Sequence, residues 1–332
     1  MFARWLQRQW FEQRRLTPAL WLLLPLSWLY SLLSALNRRL ARPVRLSVPV
    51  IVVGNLIVGG AGKTPLTLWL AQQLTARGWR PGIISRGYGR SGDGVVLVSA
   101  DSPPEAVGDE PLLLARRSGV PVCVGRQRAA AGAALIAAHP EVNILLCDDG
   151  LQHYALARDV ELVVFDGRGA GNGWRLPVGP LREPLGRLAT VDAIIGNNLK
   201  SRFVASAPTF DMRLQPGCFY RLDDPQQTCS AESLRSRGRL HALAGIGNPG
   251  RFFQTLESLE LNCENHPFPD HHRYSAADLA FARDGILLMT EKDAVKCAGL
   301  TAGETWVLPV EAELSPALIE LILEKLHGRQ AA

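Results

Sequence analysis

Beyond Val48, short apolar, β-branched runs alternate with longer stretches of helical spacing. The runs Val50–Val53, Gly82–Ser85, Val95–Val98, Val120–Val124, Asn143–Cys147, Leu162–Asp166 and Ala193–Gly196 have the length of buried strands. Lys63–Arg77, Glu110–Ser118 and Arg126–Ala138 fit helices between them. That alternation predicts an α/β fold whose mainly parallel sheet carries helices on both faces. Residues 198–238 lose the rhythm, and Pro208, Pro216, Gly217 and Pro225 mark them as a connecting segment. A second, smaller α/β set follows: strand His241–Ala244, helix Pro249–Glu260, strands Ile286–Thr290 and Thr305–Pro309, and helix Pro316–Leu326. The expected division is an N-terminal segment at 1–45, the main sheet at 46–197, the connection at 198–238 and the second unit at 239–332.

The N-terminal segment obeys a different pattern. Leu16–Leu36 is an uncharged run holding Trp21, Trp28 and Tyr30, with Trp5 and Trp10 before it. Charge changes its meaning. Residues 1–45 carry eight arginines against one acid, Glu12, a net +7, while the other 287 residues carry −2 of the chain's overall +5. Nucleic-acid binding calls for basic residues spread over a folded face; here they flank an apolar block, as in a segment that addresses an anionic membrane surface. The block has the length of a membrane span, at about 1.5 Å per residue against a core of about 30 Å. Pro18 and Pro25 interrupt it, however, and arginines on both sides give no orientation. The expectation is an N-terminal hydrophobic helix acting as an interfacial anchor, which brings the protein to its substrate and takes no part in the chemistry; a buried core helix is the alternative. A cleavable signal peptide is not the expectation, since no small-residue cleavage site follows the block and Arg38-Arg39 does. For the rest, 47% hydrophobic and 20% charged residues describe a folded chain, and six scattered cysteines without a CxxC pair read as reduced thiols.

The chemistry collects after the strands, where an open parallel sheet binds its ligands. After Val53 comes Gly59-Gly60-Ala61-Gly62-Lys63-Thr64, then a helix. Backbone N–H groups of a glycine-rich turn can cradle phosphate oxygens because no Cβ obstructs them, and the helix N-terminus favours the anion. Lys63 would reach the β/γ-phosphates and Thr64 a Mg²⁺ ion. The general pattern has a glycine where this chain has Ile57, so the match is to the GGxGK[ST] half. After Ile84 comes Ser85-Arg86-Gly87-Tyr88-Gly89-Arg90, and Asp166 follows Phe165. Ile144–Cys147 runs into Asp148-Asp149-Gly150, the form of a strand whose terminal carboxylate positions Mg²⁺. Asp109, in Gly108-Asp109-Glu110-Pro111, has helix capping as its default role. Arg182 sits in the rigid loop Gly179-Pro180-Leu181-Arg182-Glu183-Pro184. Asp270-His271-His272 is a poor metal site, because adjacent histidines do not readily face one ion; a histidine–carboxylate pair acting on a hydroxyl proton fits better.

Taken together, GGAGKTP, SRGYGR at 85–90, GDEP at 108–111, CDDGLQH at 147–153, GPLREPL at 179–185, AGIGNPGRFF at 244–253, FPDHH at 268–272 and TEKDAVK at 290–296 resemble the tetraacyldisaccharide 4′-kinase family of the lipid A pathway in Gram-negative bacteria. The likeness runs almost from end to end, and its loop has the family's own GGxGKT form. It implies a P-loop fold, ATP and Mg²⁺, and phosphorylation of the 4′-hydroxyl of a tetraacylated glucosamine disaccharide 1-phosphate at the cytoplasmic face of the inner membrane, without an obligate protein partner. By the same resemblance Asp109 and His271 are the pair that takes the hydroxyl proton, so two domains share one site. Asp148 and Asp149 serve Mg²⁺ and nucleotide, and Arg182 and Gln152 contact phosphates or substrate. The rival reading is a membrane-recruited ATPase switch of the GGxGKT type. Such a switch commonly has a second lysine early in the loop, where this chain has Val58, and Thr290-Glu291-Lys292-Asp293 places its lysine one position late for a guanine motif.

Overall fold

The computed structural model describes residues 2–13, 16–200, 202–301 and 303–330. Three helices open the chain: α1 (Phe2–Phe11), α2 (Pro18–Trp21) and α3 (Leu24–Leu40). The main sheet follows with β1 (Val50–Gly54), α4 (Lys63–Thr75), β2 (Pro81–Ser85), β3 (Val96–Val98), α5 (Pro104–Val107), α6 (Asp109–Ser118), β4 (Val122–Val124), α7 (Arg128–Ala138), β5 (Ile144–Asp148), β6 (Val160–Asp166) and β7 (Ala193–Asn197). Then come β8 (Thr209–Pro216), β9 (Phe219–Arg221), β10 (Thr228–Cys229), α8 (Ala231–Arg235), β11 (Leu240–Ala244), α9 (Pro249–Ser258) and β12 (Cys263–Pro267). The chain finishes with β13 (Ile286–Thr290), α10 (Glu291–Cys297), β14 (Thr305–Leu308), β15 (Val310–Leu314) and α11 (Ala317–Gln330).

Nine strands form the larger sheet in the order β15-β8-β7-β6-β1-β5-β2-β4-β3. All its pairings are parallel except those of the two edges, β3 with β4 and β15 with β8. Central β1 is buried throughout, and its alternate residues feed two cores. Ile51 and Val53 join Leu66, Leu70 and Leu74 of α4 and Ile319 and Ile322 of α11. Val50 and Val52 face Ala131 and Leu135 of α7 on the other side. The second sheet, β10-β9-β14-β13-β11-β12, is parallel among β11 to β14.

Strand membership departs from the expected division in two places. β8 lies inside the segment read as a connection yet pairs with β7, and β15 and α11, expected in the second unit, return to the larger sheet. The reason is exposure. Only Met212 of β8 is fully buried, and β15 alternates Val310, Ala312 and Leu314 with Glu311 and Glu313 at a sheet edge, so neither shows a continuous apolar run.

α3 is not a buried core helix. Leu22, Leu26, Leu29, Leu33, Leu36 and Leu40 recur at helical spacing and are all exposed, beside exposed Trp21, Trp28 and Leu32. No helix among the described residues is long and apolar enough to cross a membrane. The block is also fastened to the fold: Leu20 and Leu24 pack on Val178, Trp10 Nε1 donates to the Pro177 carbonyl at 3.1 Å, and Tyr30 Oη donates to the Arg182 carbonyl at 3.1 Å. The segment thereby braces the loop that carries Arg182.

Candidate active site

The glycine-rich turn leaves the carboxyl end of β1 and enters α4. Gly59 and Gly62 have φ of 94° and 100°, in the left-handed region that side chains disfavour, and a Cβ on Gly62 would stand 2.6 Å from Asn197 Nδ2. Ile57 is fully buried and bridges Leu181. Val58 N–H donates to the Pro180 carbonyl (3.0 Å) and Arg182 N–H to the Leu56 carbonyl (2.6 Å), so the 179–184 loop is zipped to the first half of the phosphate loop. A glycine at 57 would forfeit that packing. From the other side, Asp166 holds Arg168 at 2.7 Å, and Arg168 donates to the Gly60 carbonyl at 2.9 Å.

Register places the acids. Val53 pairs with Asp148, so the end of β5 lies beside the start of the loop. Asp148 is fully buried; its Oδ1 accepts from Thr67 at 3.3 Å and its Oδ2 has no partner. Burial, with Glu110 nearby, pushes its carboxyl up to about 7. Asp149 has φ 51° and turns the other way, meeting Lys63 Nζ at 3.5 Å and Arg182 at 3.3 Å. Burial would raise its carboxyl too, but Lys63, Arg182 and Arg128 outweigh that and hold it below the ordinary value. Gln152 spends its amide donors on the Asn55 carbonyl and Glu183, at 3.1 and 2.8 Å, and accepts from Arg182 at 3.3 Å. It holds the loop together. Thr64, partly exposed, sits in the first turn of α4 with Lys63.

The raised Asp148 pKa carries a stability consequence. The folded state holds that proton more tightly than the unfolded chain, so the cost of charging the carboxylate is absent below about pH 4, grows as pH rises, and is complete above about pH 7. Asp148→Asn is expected to stabilise the nucleotide-free protein at pH 8 by up to about 4 kcal/mol, at 1.36 kcal/mol per pKa unit, and to give no gain near pH 4. Thermal melts across that range check it; a gain independent of pH would contradict it.

Asp109 opens α6, where Gly108 (φ 94°) turns the chain, and it is 6% exposed. Its Oδ1 accepts from the Glu110 N–H at 3.0 Å, and its Oδ2 meets His271 Nδ1 at 3.0 Å across 162 residues. The second unit thus reaches the first. Burial alone would raise the Asp109 carboxyl, but the His271 hydrogen bond and the Lys292 ammonium hold it below the ordinary range. His271 sits at φ 58°, a strained backbone for a non-glycine residue and a cost of about 1–3 kcal/mol that a packed surrounding must sustain. Tyr88 lies against its ring at 4.8 Å. Lys292, from the TEKD motif, bridges Glu110 at 3.0 Å and Asp270 at 3.2 Å, which accounts for that motif without a guanine base. Arg251 donates to Asn197 Oδ1 at 2.7 Å, and Asn197 donates to the Ala61 carbonyl at 3.0 Å, a second link from the smaller sheet to the phosphate loop.

The family model described as "Tetraacyldisaccharide-1-P 4'-kinase" matches residues 19–327. The chain belongs to that family. A tetraacyldisaccharide 4'-kinase of Dechloromonas aromatica is 78% identical, with both chains covered in full, and one of Azoarcus sp. is 54% identical over 95% of this chain and 94% of its own. The crystal structure of the Aquifex aeolicus family member in complex with ATP has a TM-score of 0.81 at 31% identity, covering 93% of this chain and 99% of that one. Within this kinase family fold, sequence reasoning missed Thr67 and Asn197, and it placed Tyr88, Arg251 and Lys292 in motifs without assigning them a role. Thr67 had a usable signal, four residues after Lys63 and so on the same helix face.

Proposed function

We propose that this kinase transfers the γ-phosphate of ATP to the 4′-hydroxyl of tetraacyldisaccharide 1-phosphate, working from the cytoplasmic face of the inner membrane of a Gram-negative bacterium. The observation that carries the reading is the 3.0 Å Asp109–His271 pair, assembled from two sheets around a glycine-rich loop that already holds Lys63. Phosphoryl transfer needs positioning and charge neutralisation more than covalent help. Loop amides and Lys63 hold the β/γ-phosphates, and Arg182, with Asp149 and Gln152 fixing it, lies on the same side for a phosphate of nucleotide or lipid. The Asp109–His271 pair takes the proton from the acceptor hydroxyl. Its hydrogen bond fixes the histidine ring, and Lys292 ties both carrying segments together.

A Mg²⁺ ion fits the donors present, because Asp148 Oδ2 is a buried carboxylate oxygen with no partner. Thr64 and Asp148 would hold it, and it would neutralise charge on the transferring phosphates. Domain roles follow: 46–197, with β8, β15 and α11, is the nucleotide core, and the second sheet supplies the closing wall.

The substrate is a lipid, and the exposed stripe that runs from Leu22 along α3 gives the enzyme a place to meet the bilayer, with the flanking arginines attracting anionic headgroups at about 1 kcal/mol each. Burying each leucine adds about 1.5–3 kcal/mol before ordering costs. Replacing Leu22, Leu29 and Leu33 together by Glu is expected to move the protein off sedimented vesicles and to reduce turnover of bilayer-embedded acceptor at least tenfold. Turnover in detergent should change less than twofold, since these side chains face away from the fold. Equal losses in both assays would show that the stripe builds the site.

The direct test supplies γ-labelled ATP and tetraacyldisaccharide 1-phosphate. Label on the lipid at the 4′ position is expected. ATP hydrolysis without lipid product would instead favour the nucleotide-switch reading.

A further inference from the structure

Away from the nucleotide loop, the edge of the smaller sheet gathers three ligand-type side chains. β11 and β12 run parallel with His241 opposite Glu264 and Leu243 opposite His266. Alternation along the strands therefore brings His241, Glu264 and His266 to one face. His241 Nδ1 lies 3.2 Å from His266 Nε2 and 3.8 Å from Glu264 Oε2, and His266 Nε2 lies 3.9 Å from Glu264 Oε1. All three ligand atoms fall within 4.8 Å of one another. Around a tetrahedral ion with bonds of about 2.0–2.2 Å, ligand atoms stand roughly 3.3–3.6 Å apart. The triangle needs shifts of only a few tenths of an ångström.

Two independent features complete the setting. His241 is 1% exposed and its Nε2 has no hydrogen-bond partner, with Asp284 Oδ1 the carboxylate oxygen facing it at 3.8 Å. With Nδ1 on a metal, Nε2 keeps its proton, and a shift of under about 1 Å from the present 3.8 Å would bring Asp284 Oδ1 within hydrogen-bond reach, as in the carboxylate–histidine–metal arrangement that fixes tautomer and ring orientation. On the other side the Phe281 ring stacks on the His266 ring at 3.6 Å and 14°. Without an ion, the 3.2 Å contact requires one imidazole to donate a proton to the other. A metal replaces that proton.

We propose that His241, His266 and Glu264 form a Zn²⁺ site, with Asp284 orienting His241 and water completing the coordination. Two imidazoles and one carboxylate suit Zn²⁺, whereas Mg²⁺ takes oxygen ligands and would leave this site alone. The ion pins edge strand β12 to β11. Arg239 is its competitor: it donates to Glu264 at 2.7 Å and to Asp284 at 3.2 Å, and its exposed side chain swings into solvent when the ion enters.

The test is a competition titration of ZnCl₂ against a fluorescent chelator, using tag-free full-length protein in detergent, stripped of metal and without nucleotide. Wild type is expected to bind one Zn²⁺ through this cluster, with His266→Gln weakening it at least about 100-fold and Glu264→Gln at least about tenfold, since losing a direct ligand costs no less than the roughly 10–100-fold lost on removing an outer partner. Arg239→Gln is expected to tighten it several-fold. All three variants keep Mg²⁺–ATP kinase activity, since none belongs to the phosphate-transfer site. If His266→Gln fails to fold, the opposite shifts of Glu264→Gln and Arg239→Gln decide. Wild-type binding weaker than about 10 μM, or Zn²⁺ affinity unchanged by Glu264→Gln and Arg239→Gln, overturns the proposal.

Discussion

Lys63→Ala is expected to cost at least about 10³ in kcat/KM and to weaken ATP binding. Lys63 begins α4 behind a left-handed Gly62 and is mostly buried, so its ammonium is held at the phosphate end of the loop before any ligand arrives. Its 3.5 Å contact with Asp149 keeps it there. A preorganised charge facing developing phosphate charge contributes about 10²–10³ in rate, and this one also contacts the ground-state nucleotide, so both kcat and nucleotide affinity should fall. Steady-state kinetics and nucleotide titration check the two effects. A variant that loses turnover but binds ATP as wild type does would move Lys63 out of nucleotide binding.

Asp109→Ala should fail differently. It removes the partner of His271 and an acceptor for the Glu110 N–H, but none of the groups that hold the phosphate loop. General-base assistance contributes about 10²–10⁴ in rate, so kcat is expected to drop by that factor while ATP affinity stays within about twofold of wild type. Near wild-type turnover would leave Asp109 with its helix-opening role alone.

Much of this site is legible in the sequence because its parts are local. A β-branched run, glycines that need left-handed backbone and a lysine at the helix start all lie within fifteen residues, and each has a physical reason to sit there. Asp148 and Asp149 are legible because the first charges after an apolar run mark where a buried strand finishes, and β5 closes on Asp148 itself. The Asp109–His271 pairing is of another kind: nothing in either local pattern predicts a contact across 162 residues, and only resemblance to a family brought the two together. Tyr88, Arg251 and Lys292 lie in motifs the sequence shows, but their roles, like that of Asn197, arise where two sheets meet. Tyr30 escaped for the opposite reason, since it lies in an apolar run whose pattern speaks of membrane, while its hydroxyl reaches the Arg182 carbonyl. In the fold, β8 and β15 were hidden by the polar faces of strands at one side of the sheet.

On the proposed mechanism Asp109 and His271, brought from two sheets, act as one unit on the acceptor hydroxyl. A double-mutant cycle in kcat tests it most directly, with Asp109→Ala, His271→Ala and the double variant assayed on the same acceptor at saturating Mg²⁺–ATP. Groups that act as a unit are strongly non-additive, so the double variant is expected to be no more than about threefold slower than the slower single variant. Losses that multiply, with each substitution costing the same in the presence or absence of the other, would show two independent residues and contradict the account.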